Sequence, residues 1–448
     1  MRRHPPIGAW LGSMYALLLI GQALPGTALA AGDLVRVSVS SSGGQGDLAS
    51  TEDMISADGR YVAFSSDASN LVPGDTNGFS DVFVHDVLTG ETTRVSVSSD
   101  GEQSNNYSGG PSISANGRFV SFTSPASNLV LDDTNGAYDV FVHDLVNGVT
   151  TRASVSSDGG QGEGEGGSVD NSISADGRYV AFMSGANNLV PGDTNGEPDI
   201  FVHDTVTGTT TRESVGDGGE QSNGETDEPS ISADGRYVAF SSNSYSLVPG
   251  EDSFDWDIFL RDRVAGTVSR ISDSPRGGEA NGESFDPAIS SDGRFVAFES
   301  FASNLVAGDT NLAEDVFLYE DGTGSIDRDS VSSRGDQGND WSYSPAVSAH
   351  GRFIAFGSSA SNLVRGDTNE CPYGPFGHCP DVFVRDRVTG RTFRASVRGP
   401  GVQGDGASTG PALTPDARYL VFESEASNFV PGDTNGANDV FWLRVGEI

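Results

Sequence analysis

Four loops in this 448-residue sequence place two aspartates and an asparagine at one spacing. They are Asp75, Asn77 and Asp81; Asp133, Asn135 and Asp139; Asp193, Asn195 and Asp199; and Asp433, Asn435 and Asp439. Glycine follows the asparagine in each. Carboxylate and amide oxygens on a tightly turning loop suit Ca2+, which takes roughly six to eight oxygen ligands. Two carboxylates and one amide leave much of that shell to backbone carbonyls, water or a neighbouring loop. Any such site is therefore weak, in the range of about 10⁻⁴ to 10⁻³ M known for extracellular modules. The same residue types also cap turns without an ion, because Asp and Asn hydrogen-bond their own backbone. Calcium and turn chemistry both account for the pattern at this point.

Three further loops depart from it. One has Asp309, Asn311 and Asp315 with Leu312 in place of glycine. Another has Asp367 and Asn369, with Asp381 displaced along the chain by an insert. The third, residues 251–257, exchanges the asparagine and glycine for additional acids. The insert is bracketed by Cys371 and Cys379, the two cysteines of the chain. Two thiols and His378 are too few ligands for a structural metal. In an exported protein a disulfide is the expected state. His85, His143 and His203 occupy equivalent positions, so they spread around a repeat instead of converging and read as packing or hydrogen-bonding groups. Gly406-Ala407-Ser408-Thr409-Gly410 matches the nucleophile-elbow pattern but falls between repeats, where its strand and helix are missing. Acidic side chains could also form a catalytic carboxylate pair across a central channel. Spacing along the chain does not tell which ones meet.

These loops are positioned by a repeat. Ser56-Ala57-Asp58-Gly59-Arg60-Tyr61-Val62-Ala63-Phe64 recurs with its arginine at Arg118, Arg178, Arg236, Arg294, Arg352 and Arg418. Each copy predicts four strands. In the second copy they are 111–114, 118–124, 139–144 and 150–156, with hairpin turns at Asn116-Gly117 and Asn147-Gly148. The middle strands are apolar on both faces, as strands buried between two neighbours must be. The last copy lacks a fourth strand, and residues 34–40 match the fourth-strand sequence at 92–98. The expected fold is all-β: a seven-bladed β-propeller of four-stranded blades, closed by an N-terminal strand that completes the last blade. Closure removes the open edge.

The segment Pro111-Ser112-Ile113-Ser114-Ala115-Asn116-Gly117-Arg118-Phe119-Val120-Ser121-Phe122, followed by Asp139-Val140-Phe141-Val142-His143-Asp144, resembles the WD40-like (PD40) repeat of TolB-type propellers. The resemblance covers residues 31–448 and implies the propeller fold. The N-terminal α/β domain of TolB has no counterpart here, and TolB has six blades, so its envelope role does not carry over. The Asp-x-Asn-Gly-x-x-Asp loops resemble the later part of the calcium loops of integrin-type propellers. Pro73, Leu131, Pro191 and Pro431 stand where those loops have a further aspartate.

A net charge of −37, with 26 basic residues that are all arginine, excludes nucleic acid as a partner and excludes lysine chemistry. Met1-Arg2-Arg3-His4, an apolar run to Leu24 and Ala28-Leu29-Ala30 read as a signal peptide over residues 1–30, hence a secreted or periplasmic protein with no span thereafter. Strand alternation puts short turns on one face of the ring and long polar loops on the other. Loops on a rigid scaffold carry function. The first reading is a binding scaffold that engages protein or polysaccharide through the long-loop face, with weak calcium sites as an added feature. A propeller hydrolase or lyase acting on glycans or lactones at the central channel is the second reading. An acidic surface protein adapted to salt is the third.

Overall fold

The computed structural model describes residues 34–164, 167–250, 254–275, 277–369, 378–399 and 401–445. The expected signal peptide and Cys371 lie outside them; Cys379 is buried and disulfide-bonded. Every regular element among the described residues is a strand. Apart from a short pair, Val397–Arg398 with Val402–Gln403, the strands form seven antiparallel four-stranded sheets. In blade 2 they are Gly109–Ile113, Phe119–Ser124, Asp139–Asp144 and Val149–Arg152.

The fourth strand is shorter than the sequence implies. It ends at Arg152, and Val155 then bridges Gln161 in the connection to the next blade. The first hairpin also differs from a two-residue turn. Ser114 N–H donates to Phe119 O, and only Gly117 in the turn has a positive φ, 70°. A Cβ on Gly117 would sit 2.1 Å from the Tyr61 ring of blade 1. Glycine is required there by the close approach of two blades as well as by the turn.

Blade 7 is composite. Its order is Leu34–Arg36, Asp439–Arg444, Tyr419–Ser424 and Ser408–Leu413, with Leu34 opposite Leu443 and Arg36 opposite Phe441. The chain start thus pairs with its end and closes the ring.

Apolar residues of adjacent blades form a cluster at each of the seven interfaces. At the interface of blades 1 and 2, Ala63, Val82 and Val84 meet Val120, Phe122 and Phe141. Each blade holds one phenylalanine pair between its second and third strands, as in Phe122 and Phe141 at 5.7 Å. The first strands of consecutive blades touch all the way around and form the inner ring. Each carries a β-bulge.

Val37 continues the closing strand and is fully buried between blades 7 and 1. Val37→Asp is expected to cost more than about 3 kcal/mol in urea denaturation, because it buries an unpaired carboxylate. Val146→Asp, at an exposed hairpin tip, is expected to match the parent chain.

Candidate functional site

Two groups of carboxylates compete for the role of site, one around the rim and one on the axis. At the rim, the Asp-Thr-Asn loop joins the second and third strands. The sequence continues into a fourth strand that ends in arginine, and this arginine reaches back into the loop. Arg94 Nη1 lies 3.1 Å from Asp75 and 3.2 Å from Asp81. Arg152 lies 3.3 and 2.9 Å from Asp133 and Asp139. Arg212 lies 3.0 and 3.1 Å from Asp193 and Asp199. Arg36, from the closing strand, lies 3.6 and 3.0 Å from Asp433 and Asp439.

The asparagine and neighbouring groups complete this lock. Asn77 Nδ2 donates to Asp81 at 2.8 Å and to Ser104 O at 3.0 Å, and Phe79 N–H donates to Asn77 Oδ1. Asn135 and Asn195 bond Asp139 and Asp199 in the same way, and Asn435 donates to Gly46 O. Gln103, from the connection to the next blade, bonds Thr76 through both ends of its amide. Burial pushes Asp75, Asp133 and Asp193 above the usual carboxylate range, and the adjacent aspartate adds to this while the arginine opposes it.

The guanidinium therefore occupies the space between the two carboxylates that a bound cation would need. Among the described residues no group of three or more His, Cys, Asp or Glu side chains is arranged to hold a metal ion.

The lock extends beyond the four full motifs. Arg328 bridges Asp309 and Asp315, with Leu312 taking the glycine's place at φ 56°. Arg394 bridges Asp367 and Asp381 at 3.1 and 3.0 Å. The insert displaces Asp381 in sequence and not in space, because the third strand Asp381–Asp386 keeps its register with Phe353–Ser358. Blade 4 differs in part: Arg270 keeps the third-strand aspartate, Asp257, at 3.6 Å, but its other partners are Asp273 at 2.7 Å and Glu279 at 3.3 Å.

The other sequence candidates are structural. His85, His143 and His203 are buried, each with Nδ1 2.9 Å from a fourth-strand threonine hydroxyl. Burial lowers the His85 pKa to about 4, so the ring is neutral. Ser408 is buried and shares a 2.8 Å hydroxyl contact with Ser424, as Ser50 does with Ser66. A cavity of about 460 Å³ on the short-turn face is lined by Tyr179, Arg236 and Arg263. Both arginines are already held, Arg236 by Asp262 and Arg263 by Glu213 and Gly235 O.

The axial group was not assignable from sequence. At the inner-strand bulge, one residue per blade adopts positive φ: Glu52, Gly110, Asp170, Glu228, Asp286, Ser344 and Gly410. All lie four residues before the Ser or Thr that opens the repeat signature, and four of the seven are acids. That column is the signal that could have found them.

Carboxylates clasp the next blade at this level. Glu52 accepts from Gly110 N–H at 2.7 Å, Glu228 from Asp286 N–H at 2.7 Å, and Glu299 from Ser344 N–H at 2.8 Å. The Glu299 and Glu314 carboxyl groups act electrostatically on each other, as do those of Asp170 and Asp227. Asp53 stands where five blades have proline and blade 3 has Asn171. It is 6% exposed, neither of its carboxyl oxygens has a hydrogen-bond partner, and it lies beside Glu423.

Among the described residues, Glu52, Asp53, Asp170, Asp227, Glu228, Asp286, Glu299, Glu314 and Glu423 form no ion pair with arginine or histidine. Burial and mutual repulsion push Asp170 and Glu314 up to about 7 and Glu299 up to about 8. Asp53, Glu228, Asp286 and Glu423 move in the same direction, with burial the leading cause.

No family model and no curated protein sequence matches this chain. Solved structures do. An oligogalacturonate lyase from Vibrio parahaemolyticus aligns over 93% of this chain and 99% of its own, at 14% identity and a TM-score of 0.53. The propeller domain of the trilobed protease from Pyrococcus furiosus aligns over 88% and 95%, at 8% identity and 0.50. That domain is described as having an open velcro topology, whereas here the terminal strands pair. The putative TolB from Agrobacterium tumefaciens aligns over 63% and 80%, at 18% identity and 0.40. The chain is a seven-bladed β-propeller. TolB-like and related propellers are among its structural neighbours, and the likeness to them is one of fold.

Two outcomes follow. Arg152→Ala leaves Asp133 and Asp139 as uncompensated buried charges and is expected to cost about 3–5 kcal/mol in denaturant unfolding. Asp53, Asp170, Glu228, Asp286, Glu299, Glu314 and Glu423 hold their protons more tightly folded than unfolded. Their contribution is fully present below the unfolded pKa and is lost as pH rises through the folded values, between about 4.5 and about 8 for Glu299. The melting temperature should fall across this window, and the combined Glu299→Gln and Glu314→Gln variant should flatten the fall.

Proposed function

We propose that this chain is an exported binding scaffold that engages a neutral or basic protein or polysaccharide through its long-loop face. The observation that carries this reading is where the seven-fold repeat breaks down. Phe301 and Trp341 are 43% and 37% exposed, Phe301 just after the second strand of blade 5 and Trp341 just before the first strand of blade 6. Their rings meet edge to face at 6.0 Å. The equivalent positions in blade 7 are Glu425 and Ala407. Exposed aromatic faces on a rigid ring suit sugar rings and apolar side chains alike. The short-turn face, by contrast, uses its charges internally, as in the paired contacts of Arg118 with Asp144 at 2.9 and 2.7 Å.

Charge narrows the partner. Among the described residues the inner-ring acids form no ion pair, so those that ionise repel an anionic polyuronide. The convergence of acids is also what a propeller hydrolase or lyase would need, and it keeps that reading in the test. In the scaffold reading the Asp-Thr-Asn loops are arginine-closed locks that fix the loop height, and calcium would have to displace a guanidinium to bind.

The immobilised chain is to be probed with a neutral glucan, partly deacetylated chitin, a basic protein and polygalacturonate. Retention of one or more of the first three, lost in Trp341→Ala, is expected. Polygalacturonate is expected neither to be retained nor cleaved; cleavage of any polymer in the panel would replace the scaffold with the enzyme. Titration of metal-free protein with calcium chloride is expected to give no binding heat. A saturable heat would return the loops to calcium.

A further inference from the structure

Two seams place a polar side chain just after the inner-strand bulge. Blade 3 has Asn171 there and blade 1 has Asp53, whereas the other five blades have proline. Asn171 shows what the position needs. Its Nδ2 donates to Gly110 O at 2.7 Å and reaches the Thr123 hydroxyl at 3.4 Å, while its Oδ1 accepts from the Ser121 hydroxyl. All three partners belong to blade 2, the preceding blade.

Asp53 has the same shape and meets blade 7 in the same register. Its strand, Ser50–Ile55, packs on Ser408–Leu413 and Tyr419–Ser424 as Ser168–Ile173 packs on Gly109–Ile113 and Phe119–Ser124. The residues that match Gly110, Ser121 and Thr123 are Gly410, Val421 and Glu423. Gly410 repeats the backbone of Gly110, at φ 59° against 58°. Both hydroxyl donors are therefore gone, and a carbonyl and a carboxyl remain. Glu423 already accepts from the Thr409 hydroxyl at 2.9 Å and from Glu52 N–H, which favours its ionised form. Asp53 is buried with neither oxygen bonded, and Glu423 Oε2 is buried and unbonded too. Buried polar atoms normally find a partner. An ionised carboxylate can only accept, whereas a carboxyl that keeps its proton donates as the amide does.

We infer that Asp53 is a neutral carboxylic acid that donates across the closing seam to blade 7, as the Asn171 amide donates from blade 3 to blade 2, and that its ionisation loosens the closure of the ring. The strands packed on Ser50–Ile55 are consistent with this. Gly109–Ile113 and Ser408–Leu413 hold no titratable group, and Tyr61–Ser66 holds Tyr61. Asp439–Arg444 holds Asp439, which pairs with Arg36, and the exposed Arg444. Tyr419–Ser424 holds Tyr419 and Glu423, and the strand of Asp53 itself holds Glu52. Burial first, and Glu423 second, raise Asp53 well above the usual carboxylate range. The proton is held in folded and unfolded chains alike below about pH 4. As pH rises through the folded value, the seam loses a donor and gains a charge among acceptors, so the closure is tightest in acid.

The test is hydrogen exchange of the full chain read by mass spectrometry at pH ~5 and ~8, corrected for the intrinsic exchange rate. Residues 34–55, which cross the closing seam, are compared with their counterparts 92–113 between blades 1 and 2. In the parent, residues 34–55 are expected to lose at least about tenfold in protection at the higher pH, while 92–113 keep theirs. Asp53→Asn supplies a donor at every pH and is expected to hold the protection of 34–55 level. Asn171→Asp is expected to carry the loss to residues 150–173. The infrared difference between parent and Asp53→Asn near neutral pH is expected to contain the carbonyl band of a protonated carboxylic acid. Absence of that band, or equal protection of 34–55 at both pH values in the parent, overturns the inference. So does an Asp53→Asn chain that is less protected at both pH values or does not fold, because an amide would then fail to replace the acid and Asp53 would be ionised.

Discussion

No blade of this protein can bury itself. Each sheet has apolar residues on both faces, and Val140 and Phe141 of one strand belong to different interfaces. Burial of that area is the dominant favourable term, so every blade must lie between two others. The ring has to close, and the pairing of Leu34–Arg36 with Asp439–Arg444 closes it. Everything functional follows from this closure. It is what gathers seven first strands around one axis and turns seven separate bulges into a single ring of side chains.

The molecule handles its excess of acids in two ways. At the rim, the carboxylates of each Asp-Thr-Asn loop in six blades share an arginine, and the loop, the fourth strand and the next connection are tied by it. On the short-turn face of blades 1 to 6, the signature arginine stacks on the following aromatic ring and grips the acid that ends the third strand, as Arg60 does over Tyr61 with Asp86. On the axis, no arginine pairs with the acids among the described residues. Several of the acids there accept from backbone amides of the next blade, and burial raises the pKa of Asp53, Asp170, Glu228, Asp286, Glu299, Glu314 and Glu423. The arginine contacts give a charged surface a defined shape.

The Asp-Thr-Asn loops show how much of a repeated motif's surroundings lies outside the motif. Their oxygens do converge, but on a cation that belongs to the chain. The arginine lies 13 residues after the second aspartate, at the end of a strand that the loop itself does not contain. The glutamine that completes the lock lies in the following connection. A motif read within one loop cannot include partners that the blade brings in from outside it.

The sequence by itself determined the architecture. The seven signature copies, the apolar middle strands and the match of residues 34–40 to residues 92–98 are local patterns with one compatible closed packing. Periodicity determines which faces are buried, and buried faces determine the sheet stack. It also determined the long-loop face, because strand alternation assigns every turn to a side. Only the tertiary structure decided which acids meet. Glu299 and Glu314 are brought together by one strand and one loop end, Glu228 and Asp286 come from neighbouring blades, and Asp53 meets Glu423 across the seam where the chain joins its own end. Their proximity depends on ring radius, bulge geometry and positive φ at one position per blade. Those quantities are set by the packing of seven blades against one another and leave no spacing to read along the chain.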